Sequence, residues 1–222
     1  MLSCRGVSKT YVTDRGDVIA VDAIDLDVED GQFTAIIGRS GSGKSSLMAM
    51  IGGLSRPSHG EVIVDNTEIW SLSETGRATF RNLKIGYVFQ FASLLQTLRL
   101  IDNVALPALL GRHHRAAEAY DKASQLLAQM GLADYLEAYP SEVSAGEQRR
   151  AVIARALVND PAILLADEPT ADLDEHTEME IMDELLAVNR ERNATLLLVT
   201  HNLALAEQAR QIVHLANGRI VP

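Results

Sequence analysis

Cysteine is almost missing from this chain of 222 residues: Cys4 is the only one. No internal disulfide and no cysteine-based metal cluster can form, and a reducing compartment suits the chain. Positive charge is also scarce, with 20 Lys and Arg against 30 Asp and Glu for a formal net charge of -10. That balance argues against unaided binding to nucleic acid or to an anionic membrane surface, both of which select for basic patches. No apolar run approaches the roughly 18 residues of a membrane span, and MLSCRGVSKTYV holds no signal-like apolar core. A membrane role would therefore need another chain to cross the bilayer. Internal repeats, low-complexity tracts and linkers are missing too. What is present is 47% hydrophobic residues, enough for one large domain or a core with an inserted subdomain.

Val and Ile alternate with polar residues on either side of TDRGD near the start, which predicts an antiparallel strand pair. Thr34 to Gly38 reads as a short buried strand. A glycine-rich loop follows, then a helix from Ser45 to Ile51 that Gly52 and Gly53 stop. GEVIVDNTEIW and KIGYVFQ return to strand character. From Ile101 to Leu157 the pattern turns helical, through DNVALPALL, RAAEAYDKASQLLAQM and AGEQRRAVIARALV, and reads as an insertion. AILLAD and ATLLLVT are then buried strands, HTEMEIMDELLAVNRER and NLALAEQAR helices, and QIVHLANGRIVP a strand pair turning at Asn217-Gly218. Strands alternating with helices predict an α/β fold with a mainly parallel sheet. Met48, Met50, Met179 and Met182 lie in helical patterns and read as core or interface filling. His113 and His114 are adjacent, cannot share a helix face, and read as solvated rather than metal-binding.

GRSGSGKS, residues 38–45, fits the phosphate-loop pattern in full, between a strand and a helix. Gly38, Ser40, Gly41, Ser42, Gly43, Lys44, Ser45 and Ser46 form the candidate phosphate-binding set. Gly41 and Gly43 allow backbone N–H groups to converge on phosphate oxygens, Lys44 reaches the β and γ phosphates, and the Ser45 hydroxyl can coordinate Mg2+. ILLADE places two acids at the end of an apolar strand, where burying charge is costly without a cation or a catalytic need. Asp167 would hold the metal and Glu168 would act as general base on the attacking water. The alternative is that one of them caps a helix. His201 ends the next buried strand, at the sheet edge where α/β folds collect ligands. It would contact the γ phosphate, or else cap a helix. Gln90, at the end of YVFQ, would reach Mg2+ and water, or bond to a loop.

VSAGEQRR, residues 143–150, has the form of a helix start, with Ser144 as N-cap, Glu147 as its capping-box partner and an apolar run from Ala151 to Leu157. Ser144, Ala145 and Gly146 are small enough for a phosphate to approach the free N–H groups. The pattern alone does not say whose phosphate.

In this order, GRSGSGKS, YVFQ, VSAGEQRR, ILLADE, ADLD and LVTH resemble the motifs of the ATP-binding cassette ATPases, over essentially the whole chain. Within them, YVFQFASLLQTLRLIDNVALPALL and ARALVNDPAILLADEPTADLD are similar to the lipoprotein-release, macrolide-export and FtsE cell-division group. The resemblance implies one domain over residues 1–222, a RecA-like phosphate-loop core with an antiparallel β subdomain and a helical subdomain inserted over about 91–158. It implies that two copies pack head to tail when ATP is bound, so that Ser144, Gly146 and Glu147 complete the neighbour's site while Asp174 communicates across the interface. Tyr11 matches the aromatic residue on which adenine stacks, and Gln90 the loop that senses a transmembrane permease.

The implied activity is ATP hydrolysis with Mg2+, driving a permease that is a separate chain, from the cytoplasmic face of the inner membrane. The group points to lipoprotein, lipid or amphipathic cargo, and to no nucleic acid. Two other readings are an FtsE-like ATPase that signals through a membrane partner without transport, and a soluble cassette ATPase that drives an assembly factor. The chain departs from the family at Val143, Ala145 and Arg149, where Leu, Gly and Gln are usual, and at Ala171-Asp172, where close relatives often have Gly-Asn. At a helical N1 position negative φ suits alanine. The ATP sandwich is therefore expected to be weakened rather than lost.

Overall fold

The antiparallel pair expected at the start forms from β1, Leu2–Thr13, and β2, Gly16–Val28. This computed structural model describes all residues except 15, 92, 112–114, 172 and 222, so the readings made for His113, His114 and Asp172 lie outside the described residues. β4, His59–Val64, pairs with the other edge of β1, and β5, Thr67–Glu68, completes a four-stranded sheet in the order β2-β1-β4-β5.

The second sheet is built around β3, Phe33–Ile37, which is buried at every position. Its order is β10-β9-β3-β8-β7-β6, with β6 at Ile85–Val88, β7 at Ile163–Asp167, β8 at Thr195–Val199, β9 at Gln211–Ala216 and β10 at Arg219–Val221. Only β10 runs antiparallel. It returns through Asn217 and Gly218 at φ 49° and 78°, the left-handed pair that a tight hairpin demands. Strands covered on both faces need apolar side chains at every position. ILLA and TLLLV are such runs, which is why periodicity of two is missing from them.

Each face has its own core. On one, α1, Lys44–Ile51, packs Leu47, Met48, Met50 and Ile51 among Ile36, Leu165 and Leu197, and this cluster continues into Leu2, Val62 and Val64 of the first sheet. On the other, α3 (Leu100–Gly111), α4 (Ala116–Gln129), α5 (Ala145–Leu157) and α6 (Glu175–Arg192) share a single cluster with Val88, Leu164 and Leu198. The helices that read as an insertion are thus fused to the sheet through one continuous core. This arrangement brings four chain segments to one edge: the loop after β3 and the residues that follow β6, β7 and β8 all lie at the carboxyl ends of parallel strands, where open α/β sheets bind ligands.

Four details differ from the sequence reading. A helix, α2 at Glu74–Lys84, was not anticipated; its residues segregate by face, but it is polar on average and buries none of them fully, and Ser73 starts it by accepting from the Gly76 N–H. β6 stops at Val88, leaving Gln90 beyond the strand rather than at its end. α7 is one turn, Leu203–Ala206, because only Leu205 and Ala206 find a surface to bury against before the chain re-enters the sheet. Met48, Met50 and Met182 are core residues, but Met179 is exposed.

Candidate active site

The loop from Gly38 to Gly43 delivers α1 to the sheet edge. Gly43 is the N-cap of α1 at φ 106°, with no side-chain cap. A Cβ there would stand 2.2 Å from the Ala20 carbonyl oxygen, so both conformation and space require glycine. The first-turn N–H groups consequently meet no capping side chain, which is the condition for an anion site. Lys44 is 7% exposed, and its ammonium donates to the carbonyls of Gly38 at 2.7 Å and Arg39 at 3.1 Å. A cavity of about 600 Å³ opens here, lined by Ala20, Gly38, Arg39, Ser40, Gly41, Gly43, Lys44, Ser45, Ser46, Gln90, Glu168 and His201. Ser42 is the exception among the loop residues; it is buried and does not line this cavity. Tyr11 stands at the rim, its hydroxyl 3.4 Å from Ser46 Oγ and the Lys9 ammonium 5.1 Å from its ring centre.

Asp167 closes β7. Burial pushes its carboxyl above the usual range, against a hydrogen bond with the Ser45 hydroxyl; the Glu168 charge adds to the rise and Lys44 opposes it. Glu168 sits at φ 45° with its N–H donating to the Val199 carbonyl at 2.9 Å. A left-handed glutamate costs about 1–3 kcal/mol, a strain that concentrates where a side chain must be aimed. His201 Nδ1 is 3.6 Å from Glu168 Oε2. The capping alternatives do not describe this edge. Asn202 caps α7, accepting from the Ala204 and Leu205 N–H groups, and Asp174 caps α6. The hydroxyl of Ser45, the carboxylate of Asp167 and the amide oxygen of Gln90 make an all-oxygen donor set, which suits Mg2+ shared with nucleotide phosphates. Among the described residues no cluster of three or more His, Cys, Asp or Glu gathers.

Ser144, Gly146, Glu147 and Asp174 do not line that cavity; they form a second cluster. Ser144 caps α5, accepting from the Glu147 N–H at 3.3 Å, while the Glu147 carboxylate accepts from the Ser144 N–H at 2.7 Å and from its hydroxyl at 2.8 Å. Those bonds hold the Glu147 carboxyl below its usual range. Ala145 occupies the first helical position without a left-handed φ, as alanine there requires. Gly146 is buried, and a Cβ on it would approach the Thr177 methyl to 2.8 Å. That glycine lets the start of α5 lie against the start of α6, where Asp174 accepts from the Thr177 N–H at 3.1 Å and its hydroxyl at 2.6 Å.

Sequence reasoning passed over Ala20 and Arg39 as cavity walls, and it noted Arg149 only as a departure. Arg149 is buried and donates from its two terminal nitrogens to the carbonyls of Phe89 and Gln90, both at 2.7 Å. A signal was available in its place on α5, one turn after Gly146 on the inward face.

A family model described as ABC transporter matches residues 21–171. The chain is 42% identical over 99% of its length to the lipoprotein-releasing system ATP-binding protein LolD of Syntrophotalea carbinolica, and covers 96% of that protein. It is 39% identical over its full length to the macrolide export ATP-binding/permease protein MacB of Syntrophobacter fumaroxidans, of which it covers 31%. Among solved structures, the dimeric post-hydrolysis state of the ATP-binding cassette MJ0796 bound to ADP and Pi matches with a TM-score of 0.92 at 35% identity, covering 100% of this chain and 97% of that one. CbiO1 of Clostridium perfringens, part of the ABC transporter complex cbiONQ, matches with a TM-score of 0.87 at 27% identity, covering 100% and 86%.

Proposed function

The chain belongs to the ABC transporter family of ATP-binding cassettes, and from that premise we propose that it hydrolyses ATP as one of two copies driving a separate membrane permease. The observation that carries this reading is the meeting of the phosphate loop, Gln90, Glu168 and His201 around one cavity at the carboxyl edge of the sheet. Lys44 exchanges its loop carbonyls for the β and γ phosphates, and the N–H groups at the start of α1 take the remaining oxygens. Ser45, Asp167 and Gln90 would hold Mg2+, which would supply positive charge against the phosphates. Glu168 accepts the proton of the water that attacks the γ phosphorus, as the bond to the ADP oxygen breaks. His201 supports Glu168 and contacts the transferred group, while Tyr11 offers its ring to adenine.

Ser144, Gly146 and Glu147 then serve the ATP of the neighbour, with Asp174 beside them through Thr177; the dimeric state of MJ0796 supports this. A cleft of about 410 Å³ beside the Gln90 segment, with Phe89, Leu106, Pro107 and Leu110 in its wall, would receive the permease, and residues 91–158 would act as the helical subdomain that moves with it. No helix among the described residues is long and apolar enough to cross a membrane; the chain would work peripherally, on the cytoplasmic face. The kinship with LolD and MacB favours a lipidated or amphipathic cargo. Phosphate release from ATP-Mg2+ by the purified chain should fall at least about 100-fold in Lys44→Ala. Equal release by both proteins would refute the assignment of this cavity.

A further inference from the structure

One helix carries two different contacts. Its first turn, Ser144 to Glu147, is the end assigned to the neighbour's ATP; one turn later, the Arg149 guanidinium grips the backbone that carries Gln90 into this chain's own cavity. We propose that Arg149 is a positioning residue that makes the start of α5 and the Gln90 segment move as one body, so that closure on the neighbour's nucleotide sets Gln90 for hydrolysis in its own site. The inference rests on the two-site dimer proposed above.

Several observations make the link stiff rather than incidental. The two bonds run from separate guanidinium nitrogens to consecutive carbonyls, so one rigid planar group fixes both at once. Arg149 is 5% exposed, so water competes poorly for those bonds, and leaving the two carbonyls unpaired would be costly. Phe89 is held from its other side as well, its ring stacked on Tyr87 with centroids 4.0 Å apart and planes 16° apart. The next residue, Arg150, bonds Glu180 and Glu184 of α6 at 2.7 Å each, so α5 is tied to the helix that Asp174 caps. A displacement of the start of α5 therefore has a direct mechanical route to Gln90, and Arg149 is its last link.

The test separates closure from hydrolysis. Turnover at varied ATP-Mg2+ would be measured for the parent chain, Arg149→Met and Arg149→Lys, with ATP-driven dimerisation followed in each on a Glu168→Gln background and melting temperatures recorded. We expect Arg149→Met to lower kcat about tenfold, while KM and the ATP concentration needed for dimerisation change less than twofold; Arg149→Lys should recover part of kcat. Unchanged kcat in Arg149→Met, with a normal dimer, would overturn the inference alone. So would a loss of kcat matched by equal losses of dimerisation and melting temperature in both variants, since that is the mark of a structural residue only. If the Glu168→Gln parent forms no dimer with ATP, the two-site reading fails and the inference with it.

Discussion

The starts of α1 and α5 are both helix N-termini in a loop of small residues, and they are finished in opposite ways. At α1 the N-cap is Gly43, no side chain caps the end, and a lysine follows. At α5 the N-cap is Ser144, its N–H and hydroxyl both engaged by the Glu147 carboxylate, and a negative charge stands where an anion would approach. A helix dipole alone does not make a phosphate site; what matters is whether the terminal donors are already in use. α1 is open, as the phosphate site proposed there requires. At α5 the Ser144 hydroxyl already takes the Glu147 N–H and the Glu147 carboxylate stands over the end, so the proposed role toward a neighbour's phosphate calls for that carboxylate to move aside.

The largest expected effect that would sharpen this contrast is Gly43→Ala. The new Cβ would collide with the Ala20 carbonyl in a left-handed backbone, so we expect a loss of about 2 kcal/mol or more, about 4–8 °C in melting temperature, together with loss of ATP binding. Gly146→Ala should cost less, about 1 kcal/mol and about 2–4 °C, because its ordinary helical backbone tolerates a Cβ and the Thr177 methyl can shift. ATP binding by the isolated chain should survive it. A Gly146→Ala protein that melts lower than Gly43→Ala and loses ATP would break the comparison.

The smallest effect is Ser144→Ala, which removes the cap and should cost about 1 kcal/mol at neutral pH. Its pH dependence follows from Glu147, whose folded carboxyl is held below its ordinary value. That contribution is present above the ordinary carboxylate range and is lost as pH falls through the lowered folded value. The stability gap between the parent and Ser144→Ala, read from denaturant midpoints, should therefore narrow on acidification. A gap that widens would contradict the capping-box account.

The contrast also marks what a sequence can disclose. The phosphate loop is legible because its glycines answer a local demand, a left-handed N-cap and a carbonyl 2.2 Å from where Cβ would lie. The buried strands are legible as short apolar runs, and the Ser144–Glu147 box as a spacing of three. α2 is not, since it buries no side chain fully. Nor is the link between Arg149 and Gln90, whose partners are 59 residues apart in sequence and meet only because α5 packs on β6. Glu168 was legible as an acid after an apolar strand, but its left-handed backbone was not. Local chemistry reads directly from residues, whereas contacts between elements wait for the fold.

The claim on which the rest depends is that the closed end of α5 opens to a neighbour's ATP. Light scattering on Glu168→Gln protein, with and without ATP-Mg2+, tests it most directly, because blocking proton transfer to residue 168 should trap the sandwich. The account predicts a shift from monomer to dimer with ATP, absent when Ser144→Arg is added. A monomer at saturating ATP, with nucleotide binding verified, would contradict it.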